Sequence, residues 1–261
     1  MQSPRILMRV QTLHDRLLEA ARAAGFQGAF YGETGDWSLP VFTRAGDPGA
    51  LHIYLSAGVH GDEPAGPLAL LHLIRKRLLP EGPHYSLVPL VNPRALEAGT
   101  RETPEGVDVN RDYGPQPASA EARLHKAWLG GQRFDLALCL HEDTDAAGFY
   151  LYELCAPGHP SLAAVALAAS RAHMPTDTRR EIDGMPACGG QVYPPAEAHA
   201  RERTDLPEAL CLFFEHTDCC LTLETPTRAP AAQRMETQVA VILSLIGAFS
   251  SPTVYPRRQP R

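Results

Sequence analysis

Leu51-His52-Ile53-Tyr54-Leu55-Ser56-Ala57-Gly58-Val59-His60-Gly61-Asp62-Glu63-Pro64 is the stretch on which the reading of this chain turns. The apolar run, closed by glycine, predicts a buried strand that leaves its sheet in a tight turn. His60 and Glu63 sit three residues apart on that turn and can aim an imidazole and a carboxylate at one cation. Zinc accepts a His/Glu/His set and leaves a fourth position for water. Taken alone the pattern is weak, because 11 histidines and 30 acidic residues will produce it by chance. A solvated turn capping the next helix accounts for it equally well.

The flanking chain supplies the context. Ala65 to Leu79 is leucine-rich with helical spacing and is closed by Pro80 and Gly82; Tyr85 to Val91 reads as a second buried strand ending at Asn92-Pro93. Upstream, a helix from Gln11 to Ala24 puts Leu13, Leu17, Leu18 and Ala21 on one face, and Gly25 and Gly28 end it. Downstream the pattern predicts a helix over Glu121 to Leu129 and a strand over Phe134 to Leu140 running into His141. A strand over Phe149 to Leu154 and a helix over Leu162 to Ala172 follow. Pro175 to Leu206 is polar and irregular. Cys219 to Leu223 is a strand running into Glu224, and Ala231 to Phe249 closes the chain as a helix. The alternation predicts an α/β fold: one domain over 1–261, with a mixed, largely parallel sheet and helices on both faces. Ligands of such sheets collect beyond the carboxyl ends of strands, where this reading places His60, Asn92, His141 and Glu224. Gly99 to Pro117 is a long Gly/Pro-rich loop holding charged and amide side chains, which favours a functional role.

Composition narrows the classes. With 261 residues, 44% hydrophobic, the chain can bury a sizeable core. A net charge of -6 and the lack of a basic run argue against nucleic acid as a partner. The tail from Tyr255 to Arg261 is basic but short and reads as a frayed end. No stretch is apolar enough for a signal peptide or a membrane span, so the expected location is the cytoplasm. Cys139, Cys155, Cys188, Cys211, Cys219 and Cys220 lack zinc-ribbon spacing and read as reduced thiols.

Gly106-Val107-Asp108-Val109-Asn110-Arg111-Asp112-Tyr113 changes the weight of the first motif. With His60-Gly61-Asp62-Glu63, His141 and Leu221-Thr222-Leu223-Glu224-Thr225-Pro226, it resembles the zinc carboxypeptidase family, the carboxypeptidase A-like metallopeptidases. The motifs span Val59 to Pro226 in the family's order. The short spacing from His60 to His141 is similar to that of compact bacterial members and of the related aspartoacylase and succinylglutamate desuccinylase enzymes. The resemblance implies one zinc per chain on His60, Glu63 and His141, a His₂Glu set known from carboxypeptidase A. It implies Glu224 as the proton acceptor and donor, Arg101 as the cation that polarises the scissile carbonyl, and Asp108 as the partner of a ligand histidine. Asn110 and Arg111 match the pair that grips a substrate carboxylate, for which a planar guanidinium is suited. The family's mobile tyrosine has no counterpart between Pro194 and Glu224; Tyr193, on a glycine-preceded loop, is the nearest. His52, His72 and above all His216 compete as metal ligands, and Arg94 competes with Arg101. Asp205, Glu208 and Glu215 are acids that would favour a basic substrate if they faced it.

The function implied is zinc-dependent hydrolysis of an amide next to a free carboxylate, as in removal of a C-terminal residue. The expected partner is a small peptide or acyl-amino-acid substrate, with no nucleic acid or membrane involved. The alternatives are an aspartoacylase-like deacylase of N-acyl amino acids, an amidase of cell-wall peptides, and a non-catalytic zinc- or peptide-binding relative. Intact Glu224 and Arg101 weigh against the last, since binding alone needs no proton shuttle.

Overall fold

The apolar run at Leu51 forms strand β3 (His52–Ala57), and it is buried because strands lie on both sides of it. In the computed structural model, which describes residues 9–194 and 204–251, β3 runs parallel to β4 (His84–Val88) and to β5 (Leu136–Asp143). Strand β10 (Cys219–Pro226) lies parallel to β5 on its other side. These four strands are nearly continuous in apolar residues, the pattern of strands covered on both faces.

The sheet turns antiparallel toward its edges. A hairpin of β1 (Gln27–Thr34) and β2 (Trp37–Arg44) adds to β4. On the far side β6 (Tyr150–Cys155) runs antiparallel to β10. The short β9 (Gln191–Val192), β8 (Met185–Cys188) and β7 (Glu181–Ile182) then complete the order β1-β2-β4-β3-β5-β10-β6-β9-β8-β7. The expected α/β architecture is observed, with the parallel pairing concentrated at the centre. The edge strands escaped the periodicity reading for a physical reason. Most of β1 is exposed and lacks the alternation of a half-buried strand, and β7 and β9 are two residues long.

Helices cover both faces. Helices α1 (Val10–Ala23), α2 (Ala65–Arg75), α5 (Ala163–Ser170) and α7 (Ala231–Ser250) share one core with Ile53, Leu55, Leu138 and Leu221. Helices α4 (Ala120–Leu129) and α6 (Glu208–Glu215) pack on the opposite face against Tyr54, Ala137 and Cys220. A short α3 (Pro93–Ala98) follows β4, its first turn capped by the Asn92 side chain, which accepts from the Ala95 N–H at 3.1 Å. Asn92 is therefore spent on a helix cap and does not reach the ligand region expected for it. Helices α3 and α6 are six and eight residues long, too short to show a helical period in the sequence. The basic tail from Tyr255 lies outside the described residues. Among the described residues no helix is long and apolar enough to cross a membrane.

Candidate active site

The turn after β3 is built on close backbone approach. Gly61 donates its N–H to the Thr100 carbonyl at 2.8 Å, and a Cβ at this position would collide with the backbone of Ala95. Only glycine lets the turn lie against α3. The turn holds His60 and Glu63 on one side, both almost wholly buried. The register of β5 and β10 does the rest: Glu224 stands beside His141 in that ladder and beside Tyr150 in the ladder to β6. Paired residues share a face of the sheet, so three strands deliver His141, Glu224 and Tyr150 in a row.

Three donor groups converge. His60 Nδ1 is 2.6 Å from Glu63 Oε1, and His141 Nδ1 is 2.9 Å from Glu63 Oε2. Glu63 Oε2 also accepts the Glu142 N–H at 3.1 Å. One ligand atom from each of His60, Glu63 and His141 falls within 4.8 Å of the others. Two imidazoles and one carboxylate form the donor set that suits zinc. Charge supports the fit. Burial opposes a charged His60, but Glu63 and the Asp108 hydrogen bond outweigh it and raise the ring to about 9. The field that holds a proton there would hold a metal cation, and the two compete. Glu63 is pulled well down despite its burial, chiefly by His60 and His141.

Asp108 organises the neighbouring segment. Its Oδ1 is 3.1 Å from His60 Nε2 and accepts the Asn110 N–H at 2.9 Å; its Oδ2 accepts from Arg101 Nε at 3.0 Å. One carboxylate thus orients an imidazole, a guanidinium and the 3₁₀ turn Val109–Arg111 that carries Asn110 and Arg111. The Asn110 Oδ1 accepts from the Glu208 N–H at 3.0 Å, which leaves the amide nitrogen as the group free to meet a ligand. Arg111, exposed, donates to the Asn110 carbonyl at 2.9 Å. Arg94 is engaged elsewhere, paired with Glu105.

Beside these groups lies a cavity of about 400 Å³. Glu224 forms part of its wall, and the buried Oε2 of that residue has no hydrogen-bond partner. Burial, with Glu63, Asp143 and Asp183 adding negative charge, holds the Glu224 carboxyl well above the usual carboxylate range, against a smaller opposing pull from Arg101. Glu224 is thus a buried, unpartnered carboxyl on the cavity wall whose raised position and surroundings mark it as a candidate functional group.

Several expectations change. Tyr193 is half exposed, bonds its hydroxyl to Gln191 at 3.1 Å, and is not in the cavity wall. It follows the buried Val192 at the end of β9, and strand alternation turns it to the opposite side. The wall instead carries Tyr150 and Tyr152, whose hydroxyls donate to Asp143 at 3.1 Å and Asp183 at 2.7 Å. Neither Asp205, Glu208 nor Glu215 lines the cavity. Glu208 is buried and accepts from Tyr54 at 2.9 Å; Tyr54 in turn meets His125, which meets Tyr113 at 2.6 Å. Burial lowers His125 to about 3, so its ring is neutral at neutral pH. His216 sits in a separate cluster with Cys211 and Glu215, His52 bonds Ser86 inside the sheet, and neither lines the cavity. A further pair that periodicity could not show is buried Glu142, whose carboxylate accepts from Arg234 and from the Ala65 N–H, tying α7 and α2 to β5 beside His141.

Known proteins agree with this architecture. The succinylglutamate desuccinylase/aspartoacylase catalytic domain matches residues 50–186. The chain belongs to that family. Carboxypeptidase SOL1 of Arabidopsis thaliana is 25% identical over 187 residues, covering 60% of this chain. The match takes in only 38% of that curated relative's length. Among solved structures, a protein provisionally named a metallopeptidase from Shewanella baltica OS155 aligns over 91% of both chains with a TM-score of 0.78 and 24% identity. A metallo-carboxypeptidase from Pseudomonas aeruginosa, in complex with (2-guanidinoethylmercapto)succinic acid, aligns over 90% of this chain and 68% of its own with a TM-score of 0.59 and 19% identity. These two likenesses show a shared fold.

Proposed function

We propose that this chain is a zinc-dependent amide hydrolase that cleaves next to a free carboxylate, acting as a carboxypeptidase. The observation that carries the reading is one wall of one cavity. Buried His60, Glu63, His141 and Glu224 stand at its inner end, and the more exposed Arg101, Asn110 and Arg111 stand in the same lining. His60, Glu63 and His141 would hold the zinc, which when bound supplies Lewis acidity toward a carbonyl and a lowered pKa for water.

The protein's own groups divide the remaining work. Arg111 and the Asn110 amide bind the substrate carboxylate; a guanidinium does this by paired N–H donors. That grip sets the adjacent amide against Arg101, whose positive charge stabilises the negative charge developing on the carbonyl oxygen. Arg101 is held in place by Asp108, so little reorganisation is needed during reaction. Glu224 takes a proton from the attacking water at its free Oε2 and returns it to the leaving amine nitrogen. Burial raises this carboxyl in the metal-free protein, and a cation held by His60, Glu63 and His141 would oppose that rise and leave the carboxylate able to accept the proton.

The second reading, a deacylase of N-acyl amino acids, is favoured by the matching family model. Both readings share the carboxylate grip and differ on the acyl side. The reading as a peptidase rests on the cavity of about 400 Å³, whose lining includes Tyr150, Tyr152, Asp183, Met185 and Leu210. Hydrolysis of an N-acetyl amino acid is to be compared with that of a blocked dipeptide and tripeptide ending in the same residue. Faster turnover with added residues supports the peptidase, and preference for the N-acetyl amino acid overturns it in favour of the deacylase. Failure to cleave any of them with zinc bound would overturn both.

A further inference from the structure

Cys155 ends β6 and Cys219 begins β10, and the two are directly opposed in the antiparallel ladder. The neighbouring pair, Ala156 and Asp218, carries the backbone hydrogen bond, Ala156 N–H to Asp218 carbonyl at 2.8 Å. Hydrogen-bonded and non-hydrogen-bonded pairs alternate along such a ladder, so Cys155 and Cys219 form a non-hydrogen-bonded pair. In that kind of pair the Cα atoms approach to about 4.5 Å and the side chains lie closest, within the Cα range that a disulfide spans. The two Sγ atoms are 3.1 Å apart. Cys219 is wholly buried, whereas Cys155 is partly exposed. Of the two, Cys155 is the residue that solvent reaches.

We infer that Cys155 and Cys219 are an oxidisable dithiol, a modification site that peroxide converts to a reversible cross-strand disulfide. In the first step the Cys155 thiol attacks one peroxide oxygen, the O–O bond breaks, and a sulfenic acid and one water result. In the second the Cys219 sulfur attacks the Cys155 sulfur, its proton goes to the departing hydroxyl, and a second water leaves. The two thiols lose two electrons and two hydrogens, and one peroxide becomes two waters. A dithiol reductant reverses the change. Formation of the first adduct at Cys155 is favoured by its exposure, and its lifetime is short because the second thiol is already in contact.

The position gives the bond a consequence. The segment from Cys155 to Cys219 contains α5, β7–β9 and α6, and it supplies Asp183, Met185, Pro207 and Leu210 to the cavity wall. A bond between its two ends closes this segment as a loop on the sheet and restricts the unfolded chain. The molecule also holds a comparison. Cys139 and Cys220 lie close together across the parallel β5–β10 ladder, but both are buried and they are offset in register. Peroxide has no exposed sulfur to attack there.

The test treats the full chain with hydrogen peroxide, blocks remaining thiols with N-ethylmaleimide, and digests at aspartate without reductant. Such cleavage separates Cys139 from Cys155, and Cys211 from Cys219. The expected product is the Cys155 fragment joined to the Cys219 fragment, two hydrogens below the summed mass. It should vanish on reduction and in Cys155→Ser, and survive in Cys220→Ser. The thermal midpoint of the oxidised chain should rise by several degrees, with no such rise in Cys155→Ser. Blocked, unlinked Cys219 beside over-oxidised Cys155, or a bond to Cys139, would overturn the assignment. A cross-linked chain that melts lower than the reduced one would overturn the effect on the segment.

Discussion

The inner end of the cavity and its outer wall are made in different ways. The inner end rests on β3, β5 and β10, strands flanked on both sides, and its groups bind one another: Glu63 meets both histidines, and Asp108 meets His60, Arg101 and Asn110. The outer wall comes from β6, the β7–β8 hairpin and the approach to α6, where Asp183 is exposed and accepts a hydrogen bond from Tyr152. In the cross-bonded inner end a change at Glu63 or Asp108 disturbs the groups that each of them holds. A sparsely bonded wall can vary without disturbing the chemistry, and it is where a choice of substrate can be stored.

That contrast makes graded predictions. The largest effect belongs to Glu224→Gln, which keeps shape and removes the proton acceptor. Turnover should fall by roughly two to four orders of magnitude with zinc content unchanged. Steady-state kinetics alongside elemental analysis will show this, and near-normal turnover would remove Glu224 from the mechanism. Next comes Arg234→Ala, which strands the buried Glu142 charge beside His141. Breaking a buried pair from one side costs about 3–5 kcal/mol, readable as a lowered denaturant midpoint at unchanged m-value. A loss under about 1 kcal/mol would mean that the inner end does not depend on this support.

Arg111→Ala should lower kcat/KM by roughly ten- to a hundredfold, the worth of a charge-assisted contact of about 1.5–3 kcal/mol. Amidation of the substrate carboxylate should then cost the variant little more, and a full further loss would place the carboxylate elsewhere.

A smaller effect follows from the raised Glu224 carboxyl of the metal-free protein. Between the ordinary value of 4.5 and the raised one, the folded state keeps a proton that the unfolded state has released. Stability therefore falls as pH rises through that interval. Glutamine removes the term, so metal-free Glu224→Gln should melt above the metal-free wild type at neutral pH, and the two should converge below about pH 4. Identical midpoints across this range would contradict the burial argument. The smallest effect on stability is expected at the wall. Asp183→Asn should change unfolding free energy by no more than about 0.5 kcal/mol, while altering relative rates between substrates with neutral and charged side chains. Uniform loss of turnover for every substrate would break the distinction between inner end and wall.

Sequence alone determined the parts of this molecule that rest on short-range pattern. The Leu51–Val59 run and the turn at Gly61 lie within a few residues of His60 and Glu63, and the central strands announce themselves because burial on both faces demands continuous apolar residues. The roles expected of Asp108, Asn110 and Arg111 come from resemblance to a family, since the His60 ring that Asp108 meets lies forty-eight residues away. Only the tertiary structure decided what depends on register and on distant partners. It set Glu224 beside His141 and Tyr150 across three strands, and spent Asn92 on a helix cap. It turned Tyr193 out of the cavity, buried Glu208 against Tyr54, and joined Glu142 to Arg234 from ninety-two residues away. Short strands and single polar contacts carry no period along the chain. Their identity comes from what the sheet places opposite them, and a one-residue change of register would have sent each to the other face.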